Sequence, residues 1–246
     1  MKRGFCKAKA EKVQGAFFLT FPLCFNILFL RRTRPERGDS RKETNMENAK
    51  RTDVRKMAVL SILIALIIAL QVLSTFIKFG PYSITLALTP VIIGGALYGL
   101  GAGTLLGGVF GLVILFIGIL GWDGGGTMAL LQMRPLACAG IILLRGLCAG
   151  ALSALCFKAF SKKKTYPGAL AASIACPVVN TAIFVVGMVL CFGDILAPGA
   201  EASGQSILLY TIMALAGINF IIELIVNVAL ASGVTTILRY RLGRKE

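Results

Sequence analysis

Between Lys78 and Asp123 the chain runs for 44 residues (79–122) without an Asp, Glu, Lys or Arg. A helix needs about 20 apolar residues to cross the hydrocarbon core of a bilayer, so this stretch holds enough for two crossings. Near its middle stands Gly99-Leu100-Gly101-Ala102-Gly103, a glycine-rich segment of low helix propensity that reads as a turn. The stretch therefore predicts two membrane-spanning helices, and the rest of the chain repeats the pattern. With 57% hydrophobic and 15% charged residues among 246, a water-soluble domain could not cover its apolar surface, whereas lipid accepts it.

Six apolar spans account for residues 57–238: Met57–Phe76, Ser83–Tyr98, Gly103–Leu120, Leu136–Phe160, Tyr166–Phe192 and Ile207–Leu238. They are continuous rather than alternating, which excludes a barrel and leaves helices. The expected fold is an all-α integral membrane protein, a bundle of six transmembrane helices. Basic residues orient it. With both termini in the cytoplasm, the inner side holds Lys50, Arg51, Arg55, Lys56, Lys158, Lys162, Lys163, Lys164, Arg239, Arg241, Arg244 and Lys245. The outer side holds only Lys78 and Arg134, beside Asp123, Asp194 and Glu201. Twelve against two satisfies the positive-inside rule, and an odd number of spans would put the basic loop at 162–164 and the basic C-terminus on opposite sides. The net charge of +15 is thus explained by loops flanking membrane spans, and nucleic acid is not the expected partner.

Residues 1–45 carry 11 Lys/Arg and 4 acids around one apolar stretch, Val13 to Leu30. A basic start before an apolar segment resembles a signal peptide or anchor, yet Arg31-Arg32-Thr33-Arg34 follows where a small-residue cleavage site would stand. The simpler reading begins the functional protein at Met46. It divides the chain into a basic N-terminal extension, 1–45, and a six-helix transmembrane domain, 46–246.

Several chemistries lose their residues. The chain has no His, which removes the commonest general base and metal ligand. Its seven Cys (6, 24, 138, 148, 156, 176 and 191) show no metal-ligand spacing and read as small packing residues. We expect no enzyme, no metal and no cofactor bound by this chain.

Small residues recur at two places. Ser61, Ala65 and Ala69 share one face of the first span, and Gly95, Gly99, Gly103, Gly107 and Gly111 recur every four residues across the second and third. Such faces let helix backbones approach closely in lipid. The glycines read as packing inside the bundle, whereas the Ser61/Ala65/Ala69 stripe suits either the interior or a second subunit.

The candidate site lies among polar residues inside the membrane. Arg145 stands nine residues into the fourth span, where an Arg near a helix centre costs about 2.5–3.5 kcal/mol and so faces a bundle interior or cavity. Glu223 in the sixth span bears a similar cost. Asn219, Glu223 and Asn227 fall at i, i+4 and i+8 on one helix face, and Asn180 adds a carboxamide from the fifth span. Two readings stand: Arg145 and Glu223 pair to tie the bundle, or they line a cavity for a small polar compound. A cavity Arg favours a substrate with a carboxylate. Phe79, Tyr82 and Trp122 offer aromatic faces near the outer surface, though Tyr and Trp there also serve as interfacial anchors. Asp123-Gly124-Gly125-Gly126-Thr127 reads as a flexible loop and lacks the strand and Lys-Ser/Thr of a phosphate-binding loop.

Most of the stretch 50–240 resembles the S component, the vitamin-capturing membrane subunit, of an energy-coupling factor (ECF) transporter. The resemblance is carried by Ile84-Thr85-Leu86-Ala87-Leu88-Thr89-Pro90-Val91-Ile92-Ile93-Gly94, which leads into Leu97-Tyr98-Gly99-Leu100-Gly101-Ala102-Gly103. Leu144-Arg145-Gly146-Leu147-Cys148-Ala149-Gly150 is similar to the family's Arg-containing fourth helix, and Asn180-Thr181 and the Asn219/Glu223 face fit its fifth and sixth. Ala65-x-x-x-Ala69 matches the family's docking motif for the transmembrane T subunit; Leu100 stands where many relatives have Pro. The resemblance implies substrate capture at Arg145, Asn180, Asn219 and Glu223, to which the outer aromatic residues Tyr82 and Trp122 are added as candidates, and docking through Ala65 and Ala69, whose stripe Ser61 extends. It also implies toppling against the T subunit, ATP hydrolysis by two partner ATPases, and a multi-pass place in a prokaryotic plasma membrane. Two other functions stay open from the residues alone: an ion-coupled secondary transporter using Glu223, and a non-transporting membrane scaffold.

Overall fold

The computed structural model describes residues 40–76, 78, 79, 82, 83, 87–161 and 165–242. The chain divides into two compact units, Met1–Asp53 and Val54–Glu246; the first lies for the most part outside the described residues, and with it the reading of 1–45. Eight α-helices are described: α1 (Ser40–Ser74), α2 (Leu88–Tyr98), α3 (Leu100–Ile119), α4 (Gly126–Met133), α5 (Pro135–Phe160), α6 (Thr165–Ala202), α7 (Ile207–Tyr210) and α8 (Gly217–Leu242). A π-helical turn, Thr211–Ala216, joins the last two, and a two-residue antiparallel ladder pairs β1 (Lys78–Phe79) with β2 (Tyr82–Ser83).

Among the described residues, four segments are long and apolar enough to cross a bilayer: Val54–Ser74, Leu100–Ile119, Pro135–Phe160 and Thr165–Ala202. Leu88–Tyr98 and Phe220–Leu230 are apolar but shorter. The second span is therefore shorter than the sequence predicts. Pro90 stands in the first turn of α2, where its missing N–H costs nothing, and Ser83 belongs to the ladder instead. The turn after α2 is also tighter than expected. Gly99 alone breaks the helix, with φ of +83°, a region that disfavours a side chain.

The outer connections are more helical than expected. Asp123 accepts the N–H of Gly125 (3.1 Å) and of Thr127 (3.0 Å), so its carboxylate satisfies the opening donors of α4. The expected flexible loop is in fact a capped helix start. α5 opens with Pro135 at its first position, where Pro is pre-organised. α6 continues past Phe192 to Ala202, enclosing Asp194 and Glu201. Its 38 residues span roughly 57 Å at 1.5 Å each, nearly twice a bilayer core.

α5 is the centre of the bundle, packed against α3 on one side and α6 on the other; α6 also packs on α8, and α2 touches α3, α5, α6 and α8. The α3–α5 crossing is made of backbone. A Cβ on Gly107 would overlap the carbonyl oxygen of Gly146, one on Gly146 that of Gly107, and one on Gly150 that of Gly103. Gly103, Gly107 and Gly111 thus pack inside the bundle, as their spacing predicts, against a second pair in α5. Gly99 is different: it has open space around it and serves the turn.

α1 buries Leu60, Leu63 and Ile67, at i, i+3 and i+7 of one face. Leu63 rests on Gly94 of α2. Ser61, Ala65 and Ala69 lie on the other side and are exposed. Ile62, Leu66, Leu112, Leu144, Val186 and Leu190 are exposed as well, the apolar exterior that a lipid-embedded bundle presents.

Candidate functional site

Arg145 is the eleventh residue of α5, about 15 Å along the helix from Pro135. The glycine face of α5 is occupied by α3, and the Arg145 guanidinium extends toward α6. Its Cζ stands 5.4 Å from the centroid of the Phe184 ring. A cation over an aromatic face gains about 0.5–2 kcal/mol, more when desolvated. Asn180 lies one turn before Phe184, on the same face of α6.

α8 completes the cluster. Glu223 is 4% exposed, Asn180 4% and Asn227 2%. Glu223 has the Arg145 guanidinium and the Asn180 carboxamide as its neighbours in the cluster. Asn227 ties the helices together instead. Its Nδ2 donates to the Glu223 carbonyl (2.8 Å), and its Oδ1 accepts from Thr89 Oγ1 of α2 (3.1 Å). Two acceptor atoms in the cluster, Glu223 Oε1 and Asn180 Oδ1, are buried and find no hydrogen-bond partner among the described residues. Leaving such an atom unpaired costs about 1–3 kcal/mol.

The structure brings together three of the residues selected from sequence, Arg145, Asn180 and Glu223, from three helices. The backbone of Asn219 lies one turn before Glu223 on α8; its side chain and that of Tyr82, in β2, fall outside the described residues. Trp122 stands in the turn after α3, 43% exposed, at the end of the bundle and not among the buried polar groups.

Sequence reasoning missed Phe184 and Thr89. The i+4 spacing of Phe184 from Asn180 offered a signal; nothing local marks Thr89. It also missed buried Ser173 and Cys176, on α6 below Asn180. Cys176 lies near both Glu223 and Ser153 of α5. The π turn just before α8 was missed too, a distortion often found at functional sites.

At the outer end Arg134 pairs with Asp194 (2.6 Å) and donates to the carbonyl of Cys191, joining the start of α5 to the late part of α6. Both side chains are well exposed, so the pair is worth at most about 1 kcal/mol.

The cluster is a charged and carboxamide-bearing centre inside an apolar helical bundle, suited to holding a small polar molecule. The family model described as "ECF transporter, substrate-specific component" matches residues 55–235. No match is found among curated proteins.

Proposed function

We propose a function from one premise: the chain belongs to the family of ECF transporter substrate-specific components. It is a multi-pass membrane subunit that binds a transported substrate, not an enzyme. In our reading it captures a vitamin or related micronutrient from outside the cell, holds it at Arg145, Asn180 and Glu223, and passes it inward. Asn219, Tyr82 and Trp122 extend the site toward the outer surface. The observation that carries this reading is the convergence of those three polar side chains from α5, α6 and α8.

Two further observations support the membrane arrangement, six crossings with both termini in the cytoplasm of a prokaryotic cell. Lys56, at the start of the first span, lies over the ring of Tyr98 at the end of α2, 5.9 Å from its centroid. Arg134 and Asp194 meet at the opposite end. Both pairings suit alternating helix directions.

Energy comes from elsewhere in this reading. The sequence has no phosphate-binding G-x-x-x-x-G-K-[ST] motif, so a T subunit and two ATPases, which consume the ATP, complete the transporter. The exposed Ser61/Ala65/Ala69 stripe is the proposed docking face for the T subunit, because small residues allow close backbone contact in lipid.

The test is to purify the full chain gently from cells grown in rich medium, denature it, and identify released small molecules by mass spectrometry. A micronutrient present in near-stoichiometric amount is the expected result. Absence of any bound compound, together with uptake that needs no ATPase partner, would overturn the proposal.

A further inference from the structure

Glu223 and Asn180 constrain what the site accepts. Asn180 and Glu223 are neighbours in the polar cluster. Asn180 Oδ1 and Glu223 Oε1 are both buried acceptors without a hydrogen-bond partner among the described residues. Both side chains are more than nine-tenths buried. Resting on the substrate-binding role proposed above, we infer that the substrate presents two adjacent N–H donors to these oxygens, as the edge of an amidine or an amino-substituted nitrogen heterocycle does.

Other chemistries fit less well. A hydroxyl has one hydrogen to give and cannot serve both oxygens. A carboxylate would add a further acceptor, and the guanidinium it would seek already has the Glu223 carboxylate beside it. That arrangement offsets the preference a cavity Arg alone would give. A hard metal cation would satisfy both oxygens, but it seeks six or more oxygen ligands, more than these two acceptors supply.

The experiment uses the full chain in lipid nanodiscs and reads binding as a shift in thermal unfolding midpoint. The probes are 2,4-diaminopyrimidine, its N,N,N′,N′-tetramethyl counterpart, benzoate, and sodium chloride against choline chloride. At millimolar concentration 2,4-diaminopyrimidine should stabilise the protein. The tetramethyl compound, which keeps the ring but loses the donors, should bind about tenfold more weakly or worse, because a site of buried acceptors rejects a ligand that leaves them unpaired. Asn180→Leu should weaken 2,4-diaminopyrimidine binding by a similar factor. If that variant fails to fold, the comparison of the two pyrimidines on the unmodified chain decides alone.

Equal stabilisation by both pyrimidines, or none by the diamino compound, overturns the inference. Benzoate binding that depends on Arg145 also overturns it, while leaving the substrate-binding role standing. Sodium-specific stabilisation makes the site a cation site and overturns it as well. If no probe binds and denaturation releases no small molecule, the proposed function falls with it.

Discussion

Gly107→Ala should be among the most destabilising single-methyl additions in this protein. The α3–α5 crossing places Gly103, Gly107 and Gly111 against Ile142, Gly146 and Gly150, with carbonyl oxygens where side chains would ordinarily stand. A methyl at Gly103 would come 2.5 Å from the Gly150 oxygen, and one at Gly111 would come 3.0 Å from the Ile142 oxygen, whereas ordinary contact begins near 3.4 Å. At Gly107 the overlap with the Gly146 oxygen is deeper still. The obstacle is backbone and no rotamer change removes it, so the helices must part by roughly an ångström and lose contacts along the crossing. We expect a cost of about 1–3 kcal/mol, largest at Gly107, intermediate at Gly103 and smallest at Gly111. Gly101→Ala and Gly140→Ala, on the same two helices but with open space around them, should be neutral or stabilising by up to about 1 kcal/mol, since Ala favours helix over Gly. Equilibrium unfolding of the full chain in mixed micelles, titrated with a denaturing detergent and followed by circular dichroism, measures the series. Gly107→Ala combined with Gly146→Ala should cost less than the sum, because one separation relieves both overlaps. A Gly107→Ala protein as stable as Gly101→Ala would refute the reasoning.

Arg145→Ala should weaken substrate binding by about 1–3 kcal/mol by removing the charge beside Glu223, with only partial recovery in Arg145→Lys, which lacks the planar guanidinium that lies over Phe184; unchanged affinity in both, with folding intact, would make Arg145 a packing residue. Asp123→Ala removes the acceptor for two backbone N–H groups and should cost about 1 kcal/mol in the same unfolding assay, against no change if the carboxylate is dispensable. A single cysteine at position 163, in an otherwise Cys-free chain, should resist an impermeant thiol reagent applied from outside; labelling there would invert the topology. Trp at both 65 and 69 should abolish ATPase-driven uptake and spare substrate binding to the isolated protein; retained uptake would clear this face of docking, and loss of both would place it inside the bundle.

Local rules located what local chemistry decides. α5 begins and ends where the sequence places it, within one residue, because Pro135 and the basic residues after Phe160 bound it sharply. α4 was hidden because four small residues after Asp123 look like a loop; only the position of the Asp123 carboxylate over two N–H groups makes them a helix start. The extension of α6 was hidden for a related reason. Asp194 signals the end of an apolar span, but a helix that has left the lipid tolerates an exposed charge, and Arg134 is there to meet it. The site was legible as a helix face on α8, since Asn219, Glu223 and Asn227 repeat every four residues. That Arg145 and Asn180 would join Glu223 depends on how three helices pack, which no spacing within one helix reports.

The two small-residue stripes are spelled alike, yet they end in different places. Gly107 finds Gly146 opposite it, a second small stripe already inside the bundle. Ala65 finds no such counterpart among the described residues, because α1 turns Leu60, Leu63 and Ile67 inward and the Ala face away. A smooth face is therefore used internally only where a matching smooth face is within reach, and is otherwise left to lipid or to another chain. This separation gives the tryptophan test its meaning. The polar cluster is built from α5, α6 and α8, and α1 is connected to it by way of α2, through Leu63 on Gly94 and then Thr89 on Asn227. Bulk added on the outer face of α1 points away from that chain of contacts. Loss of uptake with binding intact would then be a statement about the surface of α1, not about the site.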